Sequence, residues 1–455
     1  MGKKEMMRLG ISLLFCSLFA ILFTECTQNE SIKEPNYTLQ SSEKKTTGVN
    51  CALSRESAKN LLKDILVKFP SEEYAQGMRS SSTPIIGESF GYATNTSRKQ
   101  FRNGEEFTDS LYIFNFANGE GFAIMADDAR LEPLLAISFS GNLQEKDFAR
   151  KDCDSPFYAY LKALAANYAQ MKAGKVEPGG FPKDGDIREV HQSIIKVYDM
   201  PYGHCRAKWA PYAPFNMYCP VVNGGHAWAG CVPVACAQLM SIYKTPTHYK
   251  GYTFDWNQML PVNFSSAEES EPVKQVAFLI KELGISLHTT YSPDENRGTT
   301  LSFIPETLNN FGYSFFGSIT EKYTSDVAIQ ELRNGYPLLI AGGTKKDGTN
   351  FGDERDYWYH MWLVDGLLSH QLITTKYNTE NGKQIDQIVR TPRFYLKCNW
   401  GLGGLYNGYY SVSSFDTTRK PTYNDDQQSG KELRDSSEGV YNHNLKIIRG
   451  IRPKK

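Results

Sequence analysis

The chain has 455 residues, more than one hydrophobic core usually holds, and this length predicts two folded domains plus a targeting segment. Fifty lysines and arginines balance fifty aspartates and glutamates, so no net charge draws the protein to nucleic acid or to an anionic membrane surface. An aromatic content of 13%, with 27 tyrosines and 37 glycines, is typical of a packed globular protein with many strands and turns and excludes a disordered chain.

The N-terminus has the pattern of a signal peptide. Three basic residues precede an apolar run over residues 9–23, which is shorter than the roughly 20 apolar residues of a membrane-spanning helix. We therefore predict an exported protein, with residues 1–26 as the signal peptide. Cys26 also stands where a bacterial lipoprotein would be cleaved and lipidated. Glu25 is larger than the usual residue before such a cysteine, so plain secretion is the alternative, and membrane contact is expected only through a lipid anchor at Cys26.

The next elements indicate a small α+β domain. Residues 54–69 have helical apolar spacing behind a serine cap, residues 111–139 read as a three-strand meander, and a second helix is expected at about 155–172. Residues 173–190 are rich in glycine and proline and lack apolar periodicity, which predicts an exposed linker open to proteolysis. We place the first domain at residues 27–185.

The remaining chain, residues 186–455, has helices first and strands afterwards. A helix is predicted to begin at or just after Cys231, and further helical stretches lie near 272–284 and 324–334. The last third contains the strand-like runs PLLIAGG, YWYHMWLVDG, HQLITTKY, FYLKCNW, NGYYSVSSF and NLKIIRGI. This order predicts a second α+β domain.

The cysteines point to one candidate nucleophile. Seven remain after the targeting segment, none in a CxxC pair, which argues against a zinc site, and their odd number leaves a thiol unpaired. Cys231 follows the glycine-rich loop NGGHAWAG and opens a predicted helix, where backbone N–H groups and the helix dipole favour a thiolate. The alternative is that Cys231, like nearby Cys236, is a small buried core residue.

A thiol nucleophile needs a base, and His360 lies far downstream in the apolar strand YHMWLVDG. A lone strand histidine is otherwise usually structural. Asn399 and Trp400 come later, where a strand ends before a glycine turn, and cysteine, histidine, asparagine is the chain order of papain-like peptidases. Asp365, just before a glycine, is interpreted as a turn residue and left outside the catalytic set.

Several motifs in this order make the chain resemble the streptopain family of bacterial cysteine peptidases. They are HAWAGCVPVACAQLM, DWNQMLP, QVAFLIKELGI, GYPLLIAGG, HMWLVDG and CNWGLGGLYNGYY, preceded by the propeptide-like run YIFNFANGEGFAIMADDARLEPLLAISFSGN. The resemblance implies a papain-like peptidase domain behind an inhibitory propeptide domain. It implies no cofactor, protein or peptide substrates, and the chain's own propeptide as an intramolecular inhibitor.

The resemblance also implies the roles of the site residues. The thiolate of Cys231 would attack a peptide carbonyl, and His360 would take the thiol proton and pass it to the leaving amine. Asn399, or the strand backbone there, would orient the imidazole, while Trp400 would shield that hydrogen bond from water.

One position departs from the family pattern. Members commonly carry a glutamine in the segment W-x-Q-x-x-P-[YF]-N that helps form the oxyanion hole, but here the segment running from Trp209 to Asn216 has Pro211 at that position. Proline donates no hydrogen bond, and loss of one such donor costs about 10² to 10³ in turnover. The backbone N–H of Cys231 remains, and Asn216 is one candidate replacement.

Three functional hypotheses follow. The first is an endopeptidase released from its propeptide by cleavage near the linker. The second is a catalytically weakened relative that serves as a surface binding or inhibitory protein, motivated by Pro211 alone. The third, acyl transfer of the transglutaminase type, uses the same thiol chemistry but lacks support from the surrounding motifs.

Overall fold

A computed structural model describes most of the chain beyond residue 52. The described residues are 53–69, 83–92, 101–102, 105–106, 111–128, 132–148, eight positions between 157 and 168, 186–198, 200–291, 298–316, 321–345, 357–380, 383–415 and 443–454. The predicted signal peptide with Cys26, and most of the predicted linker, lie outside them. Across these residues, the structure has no helix that is both long and apolar enough to span a bilayer.

Among the described residues, the N-terminal part contains one long helix and six strands. They are α1 (Arg55–Lys68), β1 (Ile86–Tyr92), β2 (Phe101–Arg102), β3 (Glu105–Glu106), β4 (Leu111–Phe116), β5 (Phe122–Ala126) and β6 (Leu134–Ser138), with 3-10 turns at Ala117–Gly119 and Glu145–Phe148. Helix α1 begins where predicted because the Ser54 hydroxyl accepts a hydrogen bond from the backbone N–H of Ser57 at 3.1 Å. The described positions between 157 and 168 are helical, in agreement with the second predicted helix.

Strands β4, β5 and β6 form the predicted antiparallel meander. Their side chains are buried on both faces, which explains their nearly continuous apolar sequences. One face packs against α1 through residues such as Phe114 and Met125, and the other packs against the helical residues around Phe157 and Leu161. The N-terminal domain is therefore a sheet between two helical layers.

The second part contains five helices and thirteen strands among the described residues. The helices are α2 (Cys231–Tyr243), α3 (Trp256–Met259), α4 (Glu271–Ser286), α5 (Ile304–Asn310) and α6 (Ser325–Arg333). The strands are β7 (Asp186–Val197), β8 (Val221–Val222), β9 (Gly225–His226), β10 (His248–Tyr249), β11 (Tyr252–Thr253), β12 (Tyr313–Phe315), β13 (Glu321–Lys322), β14 (Leu338–Lys345), β15 (Tyr357–Glu380), β16 (Lys383–Asn399), β17 (Gly408–Ser411), β18 (His443–Ile448) and β19 (Ile451–Pro453).

One antiparallel sheet runs through both parts of the protein. Its strand order is β1-β4-β5-β6-β17-β16-β15-β14-β18-β13, and β7 pairs with β15. The two parts join where β6 pairs with β17, with Ser138 opposite Gly408 and Ala136 opposite Tyr410. This seam lies directly after the segment that contains Trp400, so the N-terminal domain is attached beside the predicted active site.

Two local predictions were wrong. The predicted linker ends earlier than expected, because strand β7 begins at Asp186 and pairs with β15, so residues 186–190 belong to the sheet. The two strands expected on either side of Asp365 are a single strand, β15, with a bulge between Val364 and Gly366.

Asp365 therefore does not lie in a turn. Its side chain is only 2% exposed and accepts a hydrogen bond from the backbone N–H of Cys205, while His204 Nδ1 lies 3.9 Å from its carboxylate. The following glycine is required by close packing, because a Cβ at Gly366 would lie 2.9 Å from the ring carbon Cε1 of His204. The Asp-Gly pair thus anchors the segment at His204 and Cys205 against β15.

Candidate active site

Cys231 is the first residue of α2, as predicted. The helix is preceded by Gly230, whose φ of 90° lies in a region that side chains rarely adopt, so glycine lets the chain turn directly into the helix. Nearly every other residue of α2 is buried, which fixes the helix in the core and leaves its first residue partly exposed. All five described cysteines are free thiols: Cys205, Cys219, Cys231, Cys236 and Cys398.

Two effects of opposite sign act on the pKa of the Cys231 thiol. Desolvation by the surrounding protein raises the pKa and outweighs backbone hydrogen bonds with Met361, Cys231 itself and Val232, which lower it. The hydrogen bond with Met361 shows that strand β15 passes directly over the start of α2. The residue before Met361 is His360, so the predicted base adjoins, in sequence, a residue that contacts the predicted nucleophile.

His360 is oriented by a backbone carbonyl. Its Nε2 lies 2.9 Å from the carbonyl oxygen of Trp400, which can only accept a hydrogen bond, so Nε2 carries the proton in the neutral imidazole. The other nitrogen, Nδ1, is then unprotonated and able to act as a base. The sequence left open whether the Asn399 side chain or the backbone orients His360, and this geometry favours the backbone of Trp400.

Aromatic rings enclose His360. Its imidazole lies nearly parallel to Trp362 and Trp400, with centroids 6.2 and 6.4 Å away and interplanar angles of 11° and 17°. This burial lowers the pKa of His360 from 6.5 to about 4, although the hydrogen bond to the Trp400 carbonyl opposes the change. In the precursor, both the imidazole and the thiol are therefore neutral at physiological pH.

Asn399 forms hydrogen bonds with residues that surround the site. Its Oδ1 accepts hydrogen bonds from Gln238 Nε2 and the backbone N–H of Gly401, both at 3.1 Å, and its Nδ2 donates to the carbonyl of Ala207 at 3.3 Å. Its Nδ2 also donates to Cys205 Sγ at 3.6 Å, and none of these described partners is His360. Asn399 thus ties α2 to the strand end that carries Trp400, as a positioning residue.

Gln238 was missed by sequence reasoning. It is fully buried on α2 and donates to both Asn399 and the carbonyl of Trp209. The only signal was a glutamine within the apolar helix CVPVACAQLM, where a polar side chain needs buried partners.

The segment around Pro211 lies next to the nucleophile. The Pro211 carbonyl accepts a hydrogen bond of 2.7 Å from the N–H of Ala229, two residues before Cys231. Asn216, the candidate replacement donor, is buried, and its Nδ2 donates to the carbonyls of His226 and Ala227. Both amide hydrogens are thus engaged, and Asn216 has none left for a substrate in this conformation.

The described residues contain no group of histidine, cysteine, aspartate or glutamate side chains arranged to hold a metal ion. The chemistry that this arrangement supports is nucleophilic attack by a thiol at a helix N-terminus, assisted by an imidazole of fixed tautomer.

Two family models and several curated proteins match the chain. The model of the Peptidase C10 family matches residues 209–410, and the Spi protease inhibitor model matches residues 53–163. The thiol protease/hemagglutinin PrtT of Porphyromonas gingivalis is 22% identical over 420 residues, covering 85% of this chain but only 42% of the relative. Streptopain of Streptococcus pyogenes is 22% identical over 357 residues, covering 69% of this chain and 76% of the relative.

Two solved structures are also similar. A fragment of Prevotella intermedia prointerpain A aligns with a TM-score of 0.44 at 18% identity, covering 77% of this chain and 98% of that one. Active interpain A aligns with a TM-score of 0.36 at 20% identity, covering 54% and 92%. The chain therefore carries a Peptidase C10 (streptopain-family) domain behind an inhibitor-like propeptide domain and is homologous to the thiol proteases streptopain and PrtT.

Proposed function

We propose that this protein is a cysteine endopeptidase made as a zymogen, with Cys231 as the nucleophile and His360 as the base. One observation carries the proposal. Strand β15 holds Met361 against the Cys231 thiol and, one residue earlier, holds His360 with Nε2 fixed on the Trp400 carbonyl.

The proposed mechanism uses the two neutral groups in turn. Nδ1 of His360 takes the thiol proton, and the thiolate of Cys231 attacks the peptide carbonyl while the backbone N–H of Cys231 stabilises the oxyanion. The imidazolium then gives its proton to the leaving amine, which leaves a thioester on Cys231. Water hydrolyses that thioester with His360 acting again as base. The Trp400 carbonyl keeps Nε2–H in place and stabilises the imidazolium in each cycle.

The N-terminal domain is the proposed intramolecular inhibitor, and its contacts converge on the loop after Trp400. Phe157 stacks on Tyr406 with centroids 4.2 Å apart and meets the Trp400 ring edge-on at 5.6 Å. Tyr160 lies 5.3 Å from the same tryptophan ring, and the hydroxyls of Tyr158 and Tyr406 are 2.8 Å apart.

Hydrogen bonds reinforce this aromatic contact. The Ser138 hydroxyl donates to the carbonyl of Asn407, whose side chain accepts from the backbone N–H of Trp400 at 3.1 Å. The Ser140 hydroxyl donates to the carbonyl of Gly404. The propeptide thereby fixes the backbone that orients His360 and packs against the Trp400 ring that helps to bury its imidazole.

Incubation of the purified precursor under reducing conditions tests the proposal. The wild-type protein should convert itself to a smaller fragment, hydrolyse casein and react at Cys231 with a peptide-based alkylating agent, whereas Cys231→Ala and His360→Ala should do none of these. Cys236→Ala, which alters a buried thiol in the same helix, is the control and should retain labelling. A wild-type protein that neither processes itself nor hydrolyses casein nor is labelled would refute the proposal.

A catalytically weakened binding protein is the second candidate, and the engaged amide of Asn216 adds to the motivation from Pro211. Pro211→Gln separates the two. A gain in kcat of about 10² would show that a missing oxyanion donor limits the native enzyme. An unchanged kcat in an active enzyme would show that another group already serves.

We also propose that the protein is exported, either secreted or held at the cell surface by a lipid on Cys26. The basic and apolar pattern of residues 1–26 supports this proposal. Fractionation of cells producing the wild type and Cys26→Ser, with mass spectrometry of the mature N-terminus, tests it. Release of the variant into the medium would support lipidation, secretion of both forms would support plain export, and retention of both in the cytoplasm would contradict export.

A further inference from the structure

An exposed aromatic surface lies beside the proposed active site and takes no part in the mechanism described above. It consists of Tyr212, Trp228 and Phe264, which we call the aromatic shelf. Tyr212 and Phe264 stack in parallel with centroids 5.3 Å apart and an interplanar angle of 1°, and Trp228 lies 6.0 Å from Tyr212. Trp228 is 44% exposed and Phe264 is 40% exposed. Large aromatic side chains with this much exposure are expected where an apolar group binds.

The shelf is continuous with the site. Trp228 adjoins Ala229, whose N–H bonds to the carbonyl of Pro211, and Tyr212 follows that proline. Two residues after Ala229 comes Cys231. The shelf therefore begins within a few residues of the nucleophile on two neighbouring segments.

The shelf also borders the loop that positions the base. Phe264 packs against Gly403 so closely that the glycine has no room for a Cβ, and the Gly403 N–H donates to the carbonyl of Trp209 at 3.1 Å. This loop starts at Trp400, whose carbonyl holds His360. Because His360 must deliver its proton to the departing amine, the leaving-group half of a substrate lies on the imidazole side of the nucleophile.

We propose that the aromatic shelf binds the side chain that follows the scissile bond and makes the enzyme prefer a large apolar or aromatic residue there. The proposal rests on the peptidase function proposed above. A peptide side chain lying on three aromatic rings loses apolar surface to water without burying a charge, which favours phenylalanine, leucine or tryptophan over glycine or charged residues.

Acyl transfer measures this preference directly. The thioester on Cys231 reacts either with water or with an added amine. In the second case the amine nitrogen attacks the carbonyl carbon, its proton passes through His360 to the departing sulfur, a C–N bond forms and the C–S bond breaks. An amino acid amide used as acceptor occupies the position after the scissile bond. The ratio of aminolysis to hydrolysis does not depend on how fast the thioester forms, and its change between the wild type and a shelf variant cancels the intrinsic reactivity of each amine.

The experiment uses enzyme processed from the full-length precursor, a peptide ester that has no residue after the scissile bond, and phenylalaninamide or glycinamide as acceptor. In the wild type, phenylalaninamide should be the better acceptor by about tenfold at equal concentration, as expected for one apolar group in a partly exposed site. Trp228→Ala and Phe264→Ala should bring the two acceptors to within about twofold of each other, and Trp228→Phe should keep most of the preference. Phe316→Ala, at an aromatic residue that is 67% exposed outside the shelf, is the matched control and should keep all of it.

Equal use of both amides by the wild type, or an unchanged preference in both alanine variants, would overturn the shelf proposal and leave the peptidase function intact. Absence of any ester turnover together with absence of labelling at Cys231 would overturn both. Because Trp228 is 44% exposed, its alanine variant serves if Phe264→Ala fails to fold.

Discussion

His370 makes the stability of the precursor depend on pH. It lies in β15 ten residues after His360, it is only 4% exposed, and its Nε2 is 3.4 Å from the hydroxyl of Tyr395. Tyr395 in turn donates to the carbonyl of Leu134 in the N-terminal domain. Burial, helped by the nearby positive charge of Arg393, lowers the pKa of His370 from 6.5 to about 3.

The direction of the effect follows from linkage. The folded-state pKa is below the unfolded value, so the unfolded chain binds the proton first as the pH falls. The contribution of His370 is fully present above pH 6.5 and is lost as the pH falls from there toward 3. At pH 4, about 2.5 units below the unfolded pKa, the loss is about 3 kcal/mol at 1.36 kcal/mol per unit.

Urea unfolding of the Cys231→Ala precursor, which cannot digest itself, measures this loss. Between pH 7 and pH 4, His370→Gln should lose about 3 kcal/mol less than the parent, because the amide does not titrate. His360 contributes equally to both proteins and cancels in the difference. His248→Gln, at an exposed histidine in β10, is the control and should follow the parent. Equal losses in the parent and in His370→Gln would refute the reasoning.

Three further predictions concern the loop that links the propeptide to the base. Phe157→Ala removes a core ring that touches Trp400 and should weaken the propeptide contact by about 3 kcal/mol. Self-processing, followed as loss of the precursor band on gels, should then be faster, and an unchanged rate would contradict the inhibitory contact. Asn399→Ala should lower the free energy of unfolding by about 2 kcal/mol, because it removes buried hydrogen bonds. The pH profile of kcat/KM should not change, and a shifted profile would show that Asn399 orients His360. The pKa of His360 can be followed by NMR in Cys231→Ala before and after an added protease removes the propeptide. It should rise from about 4, because the imidazole becomes more hydrated. A constant pKa would show that the peptidase domain alone buries His360.

Local signals predicted the parts of the fold that depend on local chemistry. The serine cap of α1 and the glycine loop before α2 placed both helix starts within one residue, because capping and backbone freedom act within one turn. The meander of β4, β5 and β6 followed from apolar runs separated by turn residues.

Long-range pairing escaped prediction. The segment VDG looked like a turn because aspartate before glycine usually is one, yet Asp365 is held inside a strand by the backbone of Cys205, 160 residues away in sequence. Gln238 likewise stands in an otherwise apolar helix, and its partner Asn399 is 161 residues away in sequence. In each case a distant hydrogen-bond partner overrides the local preference, and no spacing in the sequence identifies that partner.

In the proposed mechanism, Trp400 takes part in both inhibition by the propeptide and catalysis. Its carbonyl sets the tautomer of His360, its N–H is held by Asn407, and its ring packs between the imidazole and the propeptide residues Phe157 and Tyr160. Trp400 therefore contacts the propeptide and also orients the base. If the propeptide inhibited by displacing this residue, the two roles would conflict, because Trp400 must stay in place to orient the imidazole in the active enzyme. The conflict disappears if the propeptide acts by excluding water from a correctly oriented pair. In that case removing the propeptide need not move His360; it need only rehydrate the surroundings in which the proton leaves Cys231.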